Sequence, residues 1–249
     1  MHILVLVIVS FDKPVYYDML QVWRERVCSR SDVWFIQCKP ASEWIGDVIN
    51  DILDTSLKDR FELDIANKTL FIRGDECLIP GILHKTVEAL SFFLLEEGSN
   101  SRQAAPLGMS AAVPFIWRTN LSSVLDFAGL QRYLGTINSS GFYGGYIGLG
   151  SLNNGSSTFF ASGAGFLMSR DVAEYLVLNK QFLRWDLIDD VAIGALLEPK
   201  FSIVPIERCW IQSGEEVVGS DGVFHYRCES YQHLRTVEFM QYVVRGLGK

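Results

Sequence analysis

The sequence has no long apolar run, no cluster of basic residues and no C-x-x-C pair, and each absence excludes a class of protein. The first apolar run covers only residues 2–9. A membrane-spanning helix needs about 18 or more apolar residues, so we expect no membrane span. With a net charge of −7 and no basic stretch, the chain lacks the clustered Lys and Arg that bind phosphate backbones, so we expect no nucleic-acid partner. The five cysteines are odd in number and widely spread, which is typical of reduced, mostly buried thiols in a cytoplasmic protein.

The remaining composition indicates one globular domain of the α/β class. Its 249 residues are 49% apolar and 20% charged, which is enough to bury one large core. Short β-branched apolar segments alternate with helical patterns, and this alternation predicts a mainly parallel sheet flanked by helices. The predicted strands are residues 2–9, Val33–Gln37, Thr69–Ile72 and Val113–Trp117.

Helical periodicity and turn-forming residues divide the rest of the chain. The stripe Tyr16, Leu20, Trp23 and Val27 predicts a helix after Pro14 with Trp23 in the core, and Leu83, Val87, Leu90 and Leu94 predict another. Glu97–Ser110 is rich in small polar residues and predicts a loop. We interpret Gly141–Gly150 as a turn, with a phosphate-binding loop as the weaker alternative. Phe159–Leu176 predicts a strand, a small-residue turn, a second strand and a helix that begins at Ser169 or Asp171.

Two polar positions draw attention in this arrangement. Asn120 lies at the carboxyl end of a predicted strand, and that edge of an open α/β sheet is where ligands bind. Asp189 and Asp190 open a predicted short helix. Such an acidic pair is either a cap and dipole partner of the helix or a source of acid-base chemistry.

Several motifs in the same order carry a family resemblance. They are GDECLIPGILHKTVEAL with its Lys85-Thr86, then FIWRTNLSS, then SGAGFLMSRDVA, and finally DDVAIG. Over about residues 71–194 the chain resembles the beta-1,3-galactosyltransferase and Fringe group of glycosyltransferases. It is also similar to anchor-free glycosyltransferases of large algal viruses, of the capsid-glycan xylosyltransferase type. The FIWRTNLSS segment lies where the group has an Asp-x-Asp metal motif, and it has no carboxylate there.

The resemblance implies a GT-A fold and an inverting sugar transfer. Residues 1–249 would form one domain, with a nucleotide-binding half at 1–120 and an acceptor-binding and catalytic half at 121–249. The donor would be a UDP-sugar, with UDP-xylose as the first expectation, and the acceptor a hydroxyl group of a glycan or glycoprotein. We expect the protein in the cytoplasm, or in the host cytoplasm if it is viral.

The family motif assigns the catalytic and acceptor-side roles. An inverting transfer needs a carboxylate that takes the proton of the acceptor hydroxyl, and the motif gives this role to Asp190. Asp189 would raise the pKa of its neighbour or bind an acceptor hydroxyl. Ser162 and Gly163 are expected on the acceptor side, and Trp185 as an aromatic platform for a sugar.

The donor side needs hydrogen-bond donors and positive charge for a diphosphate. His225 and Arg227 alternate on a short predicted strand and therefore share one face. Most Lys and Arg side chains only lie on the surface, so each cation competes with that simpler explanation. Asn and Ser attract a hard cation poorly, so we expect transfer without a metal, with Mn or Mg only if His225 is a ligand. The expected donor-binding residues are Ser10, Phe11, Asp12, Lys85, Arg118, Asn120, Ser122, His225 and Arg227.

Two other functions stay open at this point. The missing Asp-x-Asp would also fit a catalytically silent module that binds a nucleotide sugar or a glycan. A nucleotidyltransferase shares the α/β sheet, but it needs a glycine-rich basic loop after the first strand. SFDKPVYYD has no such loop.

Overall fold

The computed structural model describes residues 3–10, 13–43, 59–96, 113–152, 155–216, 218–219, 221–229 and 235–248. The described strands are β1 (Ile3–Ile8), β2 (Val33–Lys39), β3 (Phe61–Asp64), β4 (Thr69–Arg73), β5 (Phe115–Asn120), β6 (Ser123–Leu125), β7 (Tyr143–Ser151), β8 (Ser157–Ser169), β9 (Ile203–Pro205), β10 (Cys209–Ile211) and β11 (His225–Cys228). The described helices are α1 (Val15–Val27), α2 (Gly81–Ser91), α3 (Phe127–Leu134), α4 (Arg170–Leu178), α5 (Asp189–Leu197) and α6 (Thr236–Leu247). Shorter helical segments cover Ala41–Glu43, Phe92–Glu96 and Lys180–Phe182.

Eight of the described strands form one sheet in the order β3-β4-β2-β1-β5-β8-β7-β9. The pairs β4-β2, β2-β1, β1-β5 and β7-β9 are parallel, and β3-β4, β5-β8 and β8-β7 are antiparallel. The six residues of β1, ILVLVI, are all buried, as expected for a central parallel strand covered on both faces. The prediction of an α/β fold with a mainly parallel sheet flanked by helices is therefore confirmed.

Helices cover both faces of the sheet and make two apolar cores. Leu4 and Leu6 point to the core beneath α2, α4 and α5, while Val5 and Val7 point to the core beneath α1, α3 and α6. This alternation is the period of two that a strand imposes. The predicted core position of Trp23 is confirmed, since only 2% of its surface is exposed.

Strand register brings the candidate site together. In the parallel pair of β1 and β5, Ile8 lies opposite Asn120, so Ser10 and the residues after Asn120 reach the same edge of the sheet. A second sheet of order β10-β11-β6 covers this edge. Its β11 runs antiparallel to β6 with Arg227 opposite Ser123, which places Arg227 beside the end of β5.

Two glycine-containing segments are strands where turns were predicted. Residues 141–150 lie mostly in β7, and the prediction of a turn is wrong because the glycines serve close strand packing. A Cβ atom on Gly145 would lie only 2.9 Å from the Cβ atom of Ala161 on β8. The small-residue turn predicted within Phe159–Leu176 is also wrong, since β8 is continuous and is followed by a helix that begins at Arg170.

Other local predictions have mixed outcomes. The strand predicted at Val113–Trp117 is β5, displaced toward Asn120, and the loop predicted at Glu97–Ser110 lies outside the described residues. The eight-stranded sheet takes strands from both 1–120 and 121–249, and the division into functional halves stays a prediction.

The cysteines and the helix lengths complete the description. Cys38 and Cys228 are buried free thiols, but Cys28 and Cys77 are exposed, so the expectation of mostly buried thiols holds only in part. Within the described residues, each helix is too short or too polar to cross a membrane.

Candidate functional site

A pocket of about 570 Å³ opens at the edge of the sheet where β1 and β5 end. This volume is within the range of small-molecule sites, and this edge is where α/β sheets bind ligands. The first turn of α5 and the middle of β8 form part of its wall. Its charged lining residues are Glu76, Arg118, Asp189, Asp190, Arg208, Arg227 and Glu229.

Asp190 presents a fixed carboxylate to this pocket. Its Oδ2 accepts a hydrogen bond from the backbone N–H of Gly163 at 2.8 Å, and its Oδ1 accepts one from the N–H of Val191 at 2.9 Å. Among the described residues, it forms no ion pair. Burial raises the pKa of Asp190 above its ordinary value, and the negative charge of Asp189 raises it further. The carboxylate is therefore more basic than that of a typical aspartate.

Asp189, the adjacent residue, is closed into the wall of the pocket. Its Oδ2 lies 2.5 Å from Nη2 of Arg118, and Arg118 also donates to the carbonyl oxygen of Gly163. Only 2% of Arg118 is exposed. Arg118 lines the pocket, but its charge is already paired with Asp189. The predicted contact of Arg118 with the donor stays a prediction.

Gly163 on β8 lies next to the side chains of Arg118, Asp189 and Asp190. A Cβ atom there would lie 3.0 Å from Nη1 of Arg118 and 3.3 Å from Oδ2 of Asp190. Glycine therefore lets the β8 backbone approach both side chains closely. Ser162 and Gly163 both line the pocket, as the predicted acceptor side requires, and their contact with an acceptor stays a prediction.

The end of β5 holds a guanidinium between uncharged oxygen atoms. Nη1 of Arg227 donates to Oδ1 of Asn120 at 2.8 Å and also to Oγ of Ser122. Ser123 adds a hydrogen bond of 3.3 Å to the same Asn120 oxygen, and Arg227 forms an ion pair of 3.2 Å with Glu229. Asn120, Ser122 and Arg227, which were predicted together, are therefore in contact and line the pocket.

Lys85 lies behind the pocket and does not line it. Its ammonium group is fully buried and donates to Oε2 of Glu76 at 2.6 Å, to the carbonyl oxygen of Val9 at 2.6 Å and to Oγ of Ser10 at 3.3 Å. Its charge is neutralised by Glu76. The predicted role of Lys85 in direct donor binding is corrected, because this lysine fixes the end of β1.

His225 belongs to the core. Only 1% of its surface is exposed, its ring meets Trp117 edge to face, and Nε2 lies 3.3 Å from Oγ of Ser123. Burial, followed by the positive charges of Arg208 and Arg227, lowers the pKa of His225 to about 3. The imidazole is neutral at pH 7 and is not part of the pocket lining, so it is not the donor-binding cation that was expected. Its role as a metal ligand stays a prediction.

The end of β1 supplies the remaining predicted donor contacts. Ser10 lines the pocket, while Phe11 and Asp12 lie outside the described residues. Tyr16, at the start of α1, also lines the pocket. The sequence pattern predicted only that it belongs to the apolar stripe of this helix. An aromatic side chain at this position offers a face on which a planar base can stack.

Trp185, the predicted aromatic platform, lies outside the pocket, and a different tryptophan lines it. Trp185 is partly buried against the core beneath α2, α4 and α5, and it is not part of the pocket lining. Trp185 therefore gives this pocket no aromatic face, and its acceptor role stays a prediction. Trp210 lines the pocket instead, with 37% of its surface exposed.

Arg208 is the main charged residue of the pocket that the sequence pattern missed. Its guanidinium lies 4.0 Å from the ring centroid of Tyr146 and 4.3 Å from that of Trp210, and Nη1 donates to Oγ of Ser162 at 3.0 Å. Burial, followed by repulsion from Arg227, lowers the pKa of Arg208 to about 10, so it stays charged at pH 7. No sequence motif surrounds it, because its neighbours come from other parts of the chain.

The oxygen atoms at the end of β5 do not fit a divalent cation. Asn120 and Ser122 carry no negative charge, and both already accept hydrogen bonds from Arg227. No cluster of three His, Cys, Asp or Glu side chains suited to a metal occurs within the described ranges. A hard cation prefers carboxylate oxygens, so the oxygen atoms of Asn120 and Ser122 are poor ligands for one.

Comparisons with known proteins do not assign a family or an activity to this chain. No protein-family model matches the chain, and curated proteins give no match. Among solved structures, it is similar to the inositol-1-phosphate CTP transferase from T. maritima, with a TM-score of 0.46, 13% identity and coverage of 99% of this chain and 97% of that one. It is also similar to mouse xyloside xylosyltransferase 1, apo form, with a TM-score of 0.34, 11% identity and coverage of 91% and 96%. Both TM-scores are below 0.5, so neither likeness assigns a family or an activity.

Proposed function

We propose that this chain is an inverting glycosyltransferase with a GT-A fold, which transfers a sugar from a UDP-sugar to a hydroxyl group of a glycan or glycoprotein. One observation carries the proposal. The pocket contains a carboxylate, Asp190, that is fixed by two backbone N–H groups, and no ion pair to it occurs in the described parts of the chain. Its raised pKa makes it a stronger proton acceptor than an ordinary aspartate.

The proposed transfer is a direct displacement at the anomeric carbon. The acceptor oxygen forms a bond to this carbon while the bond from the carbon to the diphosphate oxygen breaks. The acceptor proton moves to Asp190, and the bonding electron pair leaves with the diphosphate. The N–H groups of Gly163 and Val191 hold the carboxylate in one orientation, which favours proton transfer from a positioned hydroxyl.

In this proposal Arg227 replaces a metal ion at the diphosphate. Its guanidinium is held against Asn120 and Ser122, at the position where the resembling family has its metal motif. A guanidinium binds phosphate oxygens through two parallel hydrogen bonds and can offset the charge that grows as the sugar leaves. The transfer should therefore need no divalent metal.

The donor would lie across the ends of β1 and β5. Ser10 and Tyr16 line the pocket and would contact the uracil base, and Asn120 and Ser122 would contact the ribose or the sugar. Residues 1–120 would then supply most of the nucleotide site, and residues 121–249 the catalytic and acceptor side. UDP-xylose is the first donor to test, because it is the donor that the motif resemblance implies.

A donor panel with product analysis tests this function. The protein is incubated with UDP-xylose, UDP-galactose, a GDP-sugar and a CMP-sugar together with glycan acceptors, and the product is examined by NMR. We expect UDP release and a product of inverted anomeric configuration. A retained configuration would remove the need for this base, and turnover with only the GDP- or CMP-sugar would contradict the nucleotide. Binding of UDP without any turnover would support the silent binding module.

A further inference from the structure

Arg208 is a partly buried cation that lines the pocket. In the described part of the chain no carboxylate forms an ion pair with it, and its buried Nε has no hydrogen-bond partner. Its observed hydrogen bond is the one from Nη1 to Oγ of Ser162 at 3.0 Å. The Nε is enclosed, so the donors that remain for a ligand are those on the two terminal nitrogens, which carry four of the five N–H groups of an arginine.

The other arginines of the pocket are in a different state. Arg118 is paired with Asp189 at 2.5 Å, and Arg227 with Glu229 at 3.2 Å. Burying a charge without a partner is costly, so proteins normally pair such a charge or use it to bind something. Arg208 is therefore the pocket cation that a bound anion would neutralise.

Arg208 is also held in place before any ligand arrives. The rings of Tyr146 and Trp210 lie 4.0 Å and 4.3 Å from the guanidinium carbon and restrict its movement. An ordered side chain loses less conformational entropy on binding than a free one. Trp210 and Arg208 both line the pocket, so this ordered cation is presented to it.

Arg208 and Arg227 act on each other electrostatically. Among the neighbouring charges, repulsion from Arg227 affects the Arg208 pKa most, ahead of the attraction from Glu229 and Asp190. Two guanidinium groups that repel each other in one pocket are stabilised together by a ligand with two or more negative charges.

We propose that Arg208 and Arg227 together bind the diphosphate of the nucleotide donor, with Arg208 as the cation that forms no ion pair with a carboxylate of the described residues. The identity of the ligand as a nucleoside diphosphate rests on the proposed function. The anion site itself rests on the contacts of Arg208.

Binding measurements on the whole protein test this inference. Affinities for UDP, inorganic pyrophosphate and uridine are measured by calorimetry for the wild type, Arg208→Gln and Arg208→Lys. Arg184→Gln is the matched control, because it removes one positive charge from a surface arginine paired with Asp186. We expect Arg208→Gln to weaken UDP and pyrophosphate by a similar factor, roughly tenfold to a hundredfold, and to leave uridine unchanged. Arg208→Lys should recover part of the loss, since lysine keeps the charge without the planar fork.

Modification of the wild-type protein gives a second measurement that needs no variant. Phenylglyoxal reacts with arginines, and the modified positions are mapped by mass spectrometry with and without pyrophosphate. We expect pyrophosphate to slow modification of Arg208 and Arg227 but not of Arg184. Equal modification of Arg208 with and without pyrophosphate would overturn the inference.

The outcomes also separate this inference from the proposed function. Wild-type affinity of Arg208→Gln for UDP and pyrophosphate would overturn the anion site even if the enzyme transfers sugar. Glucuronate is measured as a further ligand, because it represents an acidic acceptor sugar. If Arg208→Gln weakens the binding of glucuronate but leaves that of pyrophosphate unchanged, the inference is also overturned, because Arg208 would then bind an acidic acceptor. Pyrophosphate binding that depends on Arg208 in a protein without transferase activity would support the anion site while the proposed function fails.

Discussion

The wall of the pocket and its open interior use the same charged residue types in different ways. In the wall, Asp189 is paired with Arg118, and Glu76 is paired with Lys85, which is buried behind the pocket. In the open interior, Asp190 lies in the same helical turn as Asp189 but has no ion-pair partner among the described residues. Adjacent aspartates therefore have a structural role in one case and a position available for chemistry in the other.

This difference separates charged residues that stabilise the fold through an ion pair from those that are available for chemistry. A buried ion pair is expensive to break, because removing one partner leaves the other charge buried and uncompensated. A carboxylate held only by backbone N–H groups can change its protonation state without breaking such a pair. Each experiment acts on either an ion pair of the wall or a group of the open interior and leaves the other unchanged.

The largest expected effect comes from opening the Asp189–Arg118 pair. Asp189→Asn leaves the nearly fully buried Arg118 without its counter-charge, so we expect the free energy of unfolding to fall by about 3–5 kcal/mol. The measurement is urea unfolding at pH 7. Asp190→Asn is the matched control in the next residue, and it should change stability much less because it breaks no described ion pair. Equal losses in the two variants would contradict the division into paired and open carboxylates.

The sequence predicted the strand ends and helix starts of this site better than the pairing of its charges. Asn120 at the end of β5 and the acidic start of α5 follow from local hydrophobic patterns, which short segments carry. The pairing of Arg118 with Asp189 joins residues far apart in the chain, and Arg208 is ordered by Tyr146 and Trp210 on separate strands. Contacts of this kind depend on tertiary packing and leave no local signal.

The lack of a local signal for tertiary packing also explains why His225 was wrongly predicted to be a cation of the donor site. Alternation along a strand correctly predicts that His225 and Arg227 share a face, but it does not say how deeply each lies. The imidazole is 1% exposed against Trp117, whereas the longer Arg227 side chain reaches the pocket.

A smaller effect is expected when a ligand fills the open interior. UDP at about a hundred times its dissociation constant should raise the free energy of unfolding by roughly 2.7 kcal/mol. The increase should be much smaller for Arg227→Gln, which removes a proposed phosphate contact, and unchanged for the surface variant Arg184→Gln. Ligand-dependent thermal unfolding measures this. Stabilisation by GDP or CMP without stabilisation by UDP would contradict the proposed nucleotide.

A change in pH should act selectively on the open carboxylate. The folded-state pKa of Asp190 is raised, so the folded protein keeps this proton over a pH range in which the unfolded chain has lost it. This contribution to stability is complete below the ordinary value of 3.8 and is lost as pH rises through the folded-state pKa. Unfolding measured from pH 3 upward should therefore show Asp190→Asn gaining stability relative to the wild type as pH increases. A constant difference between the two proteins over this range would contradict the raised pKa.

Removal of divalent metal should have the smallest effect. Because Arg227 already occupies the oxygen atoms of Asn120 and Ser122, we expect turnover to be almost unchanged in excess EDTA. Initial rates with and without EDTA, and after addition of Mn²⁺, measure this. Activity abolished by EDTA and restored by Mn²⁺ would show that the site recruits a metal despite its lack of carboxylates at this position.

The most direct test of the account is the turnover number of Asp190→Asn at a saturating UDP-sugar concentration, with UDP affinity measured on the same sample. Asparagine keeps the shape of the side chain but cannot accept the acceptor proton as a carboxylate does. The account predicts that turnover falls by roughly a hundredfold or more while UDP affinity stays near that of the wild type. A variant that retains most of its turnover would contradict the role of Asp190 as the general base.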